Sequence, residues 1–239
     1  MIWLFDKTKM PLGHKADENG IVAIGGKLSA KRLIEAYSLG IFPWPYPDLP
    51  VLWFCPDPRF VLSPKSLRVN QSLKKALKNS NFLIKADENF LGTVKNCQNI
   101  KRQGQKDTWI TDEIISGYHE LHKLGLAHSI EAYENEKLVG GLYGVSLGRV
   151  FFGESMFFKK PHASKICFIT LVAHLINWDF SLIDCQSHTD NLERLGASFM
   201  PRENFLKELT LLLRYKSKAE KWKFYLTKEE VLAIISNCH

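Results

Sequence analysis

Between Ser129 and Gln186 the chain carries one continuous pattern of three alternating segments, a long apolar stretch and a short apolar segment. Ser129 to Tyr133 alternates and Asn135-Glu136-Lys137 turns the chain. Leu138 to Ser146 returns, Leu147-Gly148-Arg149 turns again, and Val150 to Phe157 runs out. Period-two alternation broken by short polar or glycine-bearing clusters predicts an antiparallel meander. Ala163 to Trp178 is apolar over a length that suits a buried helix, and Leu182 to Gln186 reads as a buried strand. A meander followed by a helix and a further strand confines the fold to a mixed α/β layer with helices on both faces.

Flanking this centre, helical spacing predicts helices over residues 70–79 and 87–101 and from Asp112 to Leu124, with Gly125 as a stop. A short helix is expected near Thr189 to Leu195 and a final one from Arg202 to Leu213. The first sixty residues differ in texture, with Gly25-Gly26, Gly40 and then Pro43, Pro45, Pro47, Pro50, Pro56, Pro58 and Pro64. Prolines this dense fix φ and remove donors, so an ordered, irregular segment is expected there, carrying only short elements. One helix fits, from Ser29 as N-cap to Gly40 as stop. The change of texture divides the chain into a small N-terminal domain, residues 1–65, and a larger domain, residues 66–239.

At 239 residues with 45% hydrophobic side chains the chain buries a substantial core. Asp6 and Lys7 come too early for a signal-peptide apolar region, and no apolar run reaches the roughly 20 residues of a spanning helix, so a cytoplasmic protein is expected. Cys55, Cys97, Cys167, Cys185 and Cys238 are scattered and without a C-x-x-C pair, which argues against a disulfide framework or a zinc site. A net charge of +7 suits a polyanionic partner, although many basic proteins bind no nucleic acid.

Seven collinear segments carry a more specific signal: Gly40-Ile41-Phe42-Pro43-Trp44, Leu52-Trp53-Phe54-Cys55-Pro56-Asp57-Pro58-Arg59, Thr108-Trp109-Ile110-Thr111, Gly140-Gly141-Leu142-Tyr143-Gly144-Val145, Gly153-Glu154-Ser155-Met156-Phe157, Ala163-Ser164-Lys165 and Leu182-Ile183-Asp184-Cys185-Gln186. In order and spacing they resemble the leucyl/phenylalanyl-tRNA protein transferases over residues 20 to 205 or so. The resemblance implies a small N-terminal domain followed by an N-acetyltransferase-like domain with a mixed, largely antiparallel sheet. It implies transfer of leucine or phenylalanine from aminoacyl-tRNA to proteins beginning with Arg or Lys, whose new N-terminus is an N-end rule degradation signal. The partners it implies are Leu-tRNA and Phe-tRNA 3′ ends and those proteins, with no DNA, membrane, metal or organic cofactor, and the chain is expected to be a monomer. Three positions depart from the family pattern: Phe54 stands for a usual Trp, Cys55 for a usual Ser, and His162 for the Asn that commonly precedes Ala-Ser-Lys.

Alternation along Leu182 to Gln186 puts Asp184 and Gln186 on one face and Ile183 and Cys185 on the other. An Asp at a strand end is ordinarily a cap or turn partner; the resemblance makes Asp184 and Gln186 the catalytic pair. An amide is a feeble proton acceptor, so Gln186 is read as orienting the attacking amine and Asp184 as stabilising charge. Glu154, an acid among apolar neighbours, needs a cation or strong donor. That partner is either an internal ion pair or, as the resemblance implies, the amino group of the aminoacyl moiety. Matching positions place Leu142, Phe151, Phe168, Leu171 and Ile183 in an aminoacyl pocket, where the soft discrimination of apolar surfaces makes methionine a minor substrate. Tyr37, Trp44, Trp109 and Tyr118 match aromatic positions able to stack on the 3′-terminal adenine, with burial in the core as the alternative. Lys74, Lys75 and Lys78 share one helix and serve either as phosphate contacts or as a solvated face.

Two rival chemistries use the same residues. An acyl-coenzyme A transferase would want a glycine-rich loop entering a helix, and Phe158 to Lys165 contains no glycine. A thiol hydrolase built on Cys185 and His188 would need Cys185 on the face that carries the other two polar groups. A non-catalytic RNA-binding module is separated by whether the amino acid leaves the tRNA.

Overall fold

The computed structural model describes residues 2–45, 49–100 and 108–238. Its N-terminal part holds β1 (Ile2–Leu4), β2 (Ile21–Gly25), α1 (Ala30–Ser38), β3 (Phe42–Trp44) and β4 (Leu52–Phe54). The four strands form one sheet in the order β1-β2-β4-β3. The sequence anticipates α1 but not the sheet, because strands of three to five residues are too short to show a period. Ser29 caps α1 by accepting the Arg32 backbone N–H at 3.3 Å, and Gly40, at φ 73°, takes the left-handed turn that ends it. Pro47, one of the expected breakers, lies outside the described residues.

The remainder contributes β5 (Arg59–Leu62), α2 (Gln71–Asn79), β6 (Leu83–Ala86), α3 (Phe90–Asn99), α4 (Asp112–Lys123), β7 (Ala127–Glu134), β8 (Lys137–Leu147), β9 (Val150–Phe158), α5 (Ala163–Asn177), β10 (Leu182–Gln186), α6 (Asp190–Arg194), β11 (Ser198–Met200), α7 (Arg202–Leu212) and α8 (Lys228–Ser236). Seven strands form a second sheet in the order β11-β5-β10-β9-β8-β7-β6. Every neighbouring pair is antiparallel except β9 and β10. The expected mixed, largely antiparallel sheet is therefore present. A division at residue 65 would leave β5 with the small sheet; since β5 pairs in the large one, we propose that the units divide in the 55–58 connection.

Helices cover both faces. Leu73 and Leu77 of α2, most of α5, and Val231 and Ile235 of α8 share one core cluster with Phe151 and Ile183. Residues of α1, α3, α4 and α7 share the other with Phe152 and Tyr143. Twelve of the fifteen residues of α5 are buried, which is why its sequence is apolar nearly all round.

Three expectations need correction. The helix read from residue 87 begins at Phe90, because Asp87 sits at φ 57° and Asn89 caps α3 by accepting the Gly92 N–H at 2.9 Å; Lys101, its expected end, lies outside the described residues. Helix α7 is not the last, since α8 follows with a complete capping box between Thr227 and Glu230. Strands β5, β6 and β11, of three or four residues, were not anticipated.

Candidate active site

Among the described residues the only parallel pairing in the large sheet is short. Leu182, Ile183 and Asp184 oppose Val150, Phe151 and Phe152; beyond this β9 pairs with β8 alone. Where β9 and β10 part, a cavity of about 900 Å³ opens. Phe151, Gly153, Glu154 and Met156 line it from β9, and Ile183, Cys185 and Gln186 from β10. Leu142, Phe151, Phe168 and Ile183 give the wall much of its apolar surface, and Glu154 and Gln186 are among its polar residues.

Glu154 is held by three donors. The Tyr37 hydroxyl donates to Oε1 at 2.6 Å, the Tyr118 hydroxyl to Oε2 at 2.9 Å, and the Gln186 amide Nε2 to Oε1 at 2.8 Å. The two tyrosine oxygens also lie 2.5 Å apart. This closes a ring of three O···O contacts, and the two hydroxyls bring only two protons. With a third proton on Glu154, the carboxyl donates to one tyrosine in place of accepting from it, that hydroxyl donates to the other, and every contact holds one. Burial pushes the Glu154 carboxyl up to about 7, opposed by the tyrosine and glutamine donors and assisted by the Asp184 charge. Because Nε2 is spent on Glu154, the Gln186 amide oxygen is left as an acceptor at the cavity wall.

Asp184 lies behind this layer. Arg59 donates to it through Nε at 2.8 Å and Nη2 at 2.6 Å, with neither side chain exposed. The guanidinium lies over the rings of Phe42 and Phe205, 4.6 Å from each centroid, a cation–π arrangement within one core cluster. Asp184 Oδ1 also accepts the Gln186 backbone N–H at 2.9 Å. That bond holds Gln186 at φ 63°, an uncommon conformation for a non-glycine residue. Asp184 does not line the cavity; it fixes the backbone that aims Gln186. Arg59 was missed in the sequence, where it reads as one cation in a proline-rich stretch, although a buried strand end carrying Asp184 demands a cation somewhere.

Other expected residues divide between wall and core. Leu171 has no exposure and packs in the core cluster rather than in the wall. Tyr37 and Tyr118 are also fully buried, so the stacking role expected of them gives way to their grip on Glu154. Trp44 and Trp109 both line the cavity, their rings stacked at 5.7 Å. Lys75 and Lys78 are exposed on α2, and Lys74 is partly covered; none of the three lines the cavity. His162 is in the wall at φ 65°, preceding α5. Asn and His are both enriched in this left-handed conformation, so His162 fits the position without added strain.

The thiol chemistry finds no geometric support. Burial pushes the Cys185 thiol well up, its Sγ–H is directed to the Ile183 carbonyl, and His188 pairs instead with Glu193 at 3.1 Å. His188, Asp190 and Glu193 bring ligand atoms within 4.8 Å of one another at the rim, but all are exposed. No helix among the described residues is long and apolar enough to cross a membrane.

Comparison with known proteins bears on this geometry. A family model described as leucyl/phenylalanyl-tRNA protein transferase matches residues 61–210, and one described as the N-terminal domain of that transferase matches residues 26–57. A leucyl/phenylalanyl-tRNA–protein transferase of Nitrosospira multiformis is 48% identical over 224 residues, 93% of this chain and 96% of the relative. Proteins of the same description from Myxococcus xanthus and Flavobacterium johnsoniae are each 46% identical, covering 89% and 87% of this chain and 91% and 99% of their own.

Proposed function

Because the chain belongs to the leucyl/phenylalanyl-tRNA–protein transferase family, and so is an aminoacyltransferase, we propose that it acts in the cytoplasm, moving leucine or phenylalanine, and methionine as a minor substrate, from tRNA to N-terminal Arg or Lys. The product's new N-terminus is then an N-end rule degradation signal.

The observation that carries this reading is the Gln186 amide bonded to buried Glu154 in the wall of a mostly apolar cavity. An aminoacyl ester is already activated, so the protein has mainly to hold it, align an amine and steady the oxyanion. The apolar wall takes the leucyl or phenylalanyl side chain. Glu154, titrating near 7, shares one proton with the α-amine of the aminoacyl group. Trp44 and Trp109 take the terminal adenine between the cavity and solvent. Gln186 accepts an N–H of the incoming amine and directs its lone pair at the ester carbonyl. The C–N bond forms, the ester C–O bond breaks, and the ribose oxygen leaves with a proton given up by the amine. Asp184 acts through the backbone of Gln186.

Donor selectivity tests the reading. Transfer to an Arg-initiated peptide should run from Leu-tRNA and Phe-tRNA, more slowly from Met-tRNA, and not from Asp-tRNA. Phe168→Ala enlarges the wall and should lower kcat/KM for Leu-tRNA by roughly tenfold or more. Equal transfer from Asp-tRNA would overturn the assignment of the cavity.

A further inference from the structure

Helices α7 and α8 are joined by residues 213–227, most of which have no regular secondary structure. Over residues 221–227 exposure alternates, with Trp222 buried, Phe224 and Leu226 half-buried and the residues between them exposed. An extended chain alternates in this way when one face lies on a core. Buried side chains accept three of its backbone N–H groups: that of Trp222 goes to Asp87 Oδ2 at 2.7 Å, and those of Tyr225 and Leu226 go to His174 Nε2 at 3.1 and 3.3 Å. His174 can do this in one protonation state only. Its Nδ1 lies 2.8 Å from the Thr170 carbonyl oxygen, which accepts and never donates, so Nδ1 carries the proton and Nε2 is the bare acceptor. A second proton on Nε2 sets an N–H against two N–H donors, and both bonds are lost. The ring is fully buried, with Phe224 stacked on it at 3.8 Å and Trp178 and Tyr225 against it. Burial holds the imidazole below its ordinary value of 6.5, opposed by the bond to Thr170. The Tyr225 phenol is the titratable group among these ring contacts, and Lys218 places its ammonium over the Trp178 ring at 5.1 Å.

The same connection carries Trp222 to the back of the cavity wall. Its indole stacks on His128 at 3.7 Å and meets Phe151 at 6.0 Å, with Trp178 and Phe180 also against it. Phe151 lines the large cavity, so Trp222 backs a wall residue within their shared core cluster. The titratable groups at this end are Asp87, His128 and His122. Asp87 pairs with His128 Nδ1 at 2.8 Å, and His122 Nδ1 stands 3.9 Å from its other oxygen. Nearby, Glu131 accepts from the Glu88 and Asn89 backbone N–H groups, and Lys221 pairs with Glu88 at 3.2 Å on the surface.

We infer that residues 213–227 form a proton-sensitive latch: closed on neutral His174 it sets Trp222 behind Phe151 and so positions the aminoacyl pocket, and protonation of His174 opens it. The consequence for catalysis rests on the proposed function above, whereas the latch itself does not. Opening exposes Nε2 to water, where it takes a proton that the closed ring excludes. The closed form's advantage is therefore complete above about pH 6.5 and falls by up to about tenfold for each unit below it. Glu131, raised to about 7, has the opposite sign and loses its contribution as pH rises, so the two effects are separable.

The test follows hydrogen exchange of the peptide covering residues 219–227 at about pH 7.5 and about pH 5.5, corrected for intrinsic amide rates. Protection in the wild type should fall by up to about tenfold at the lower pH. His174→Gln puts an amide oxygen near the Nε2 position, able to accept both N–H groups at any pH, and its protection should stay level. In parallel, KM for Leu-tRNA should rise more steeply in acid for the wild type than for His174→Gln, since Glu154 titrates alike in both. Level protection in the wild type, or the same fall in the variant, would overturn the latch. Identical KM profiles beside different exchange would overturn the positioning of Phe151. Should circular dichroism find His174→Gln unfolded, nitrogen NMR of the wild type decides: protonation of His174 Nε2 should share its midpoint with the loss of protection, and a separate midpoint would overturn the latch. If exchange behaves as predicted yet the wild type transfers from no donor, the latch stands and the transferase reading falls.

Discussion

Arg59 and Asp184 are joined by two hydrogen bonds, from Nε at 2.8 Å and Nη2 at 2.6 Å, in a place where neither side chain is exposed. The pair stands directly behind the cavity, and Asp184 passes its position on to Gln186 through a backbone bond of 2.9 Å. A residue of the proline-rich N-terminal stretch thus sets the aim of a side chain near the other end of the chain.

Removing either partner leaves the other charged, buried and unpaired, at a cost of about 3 to 5 kcal/mol. Arg59→Leu should therefore lower the urea midpoint strongly. Arg59→Lys should recover only part of the loss, because a single ammonium cannot supply the two-pronged geometry. Equal midpoints for Arg59→Lys and the wild type would show that charge alone suffices.

Glu131 offers a test of pH dependence away from the cavity. Burial pushes its carboxyl from 4.5 up to about 7, against donors from Ser129, Asn89 and Glu88. A carboxyl raised in the folded state binds its proton more tightly folded than unfolded. Its stabilising contribution is complete below about pH 4.5 and is lost as pH rises through about 7. Denaturation of Glu131→Gln should show a smaller fall in stability between those limits than the wild type. Identical pH profiles would contradict the shift.

Trp44 and Trp109 form a stacked pair in the cavity wall. If this pair grips the terminal base, Trp44→Ala should raise KM for Leu-tRNA by roughly 5- to 150-fold, the equivalent of about 1 to 3 kcal/mol per stacked base, and leave kcat little changed. Trp44→Phe should retain most of the affinity. A fall in kcat with KM unchanged would assign the tryptophans to the chemistry instead.

Much of the catalytic core was legible in the sequence because its elements are long. Strands β7 to β9 span eight to eleven residues, enough for alternation to show, and α5 is apolar around its whole circumference. The small sheet was not legible, since three-residue strands among prolines carry no period. Helix α8 did carry a signal, Thr227 followed three residues later by Glu230, and a reading for capping boxes would have found it. Alternation alone would set Asp184 and Gln186 on one face, but the strand is irregular between them, and Gln186, at φ 63°, lines the cavity with Ile183 and Cys185 while Asp184 does not. That depends on Arg59, brought from 125 residues away, and no local pattern reports it. Tyr37 and Tyr118 show the same limit: an aromatic suited to stacking and one suited to gripping a carboxyl look alike until Glu154 is found between them.

The most direct measurement follows radiolabelled leucine from Leu-tRNA in the presence of an Arg-initiated peptide, with a Met-initiated peptide and the Gln186→Ala variant beside it. The account predicts label on the Arg-initiated peptide alone, and a fall in kcat in the variant with little change in KM for the donor. No transfer by the wild type, or equal transfer to the Met-initiated peptide, would contradict it.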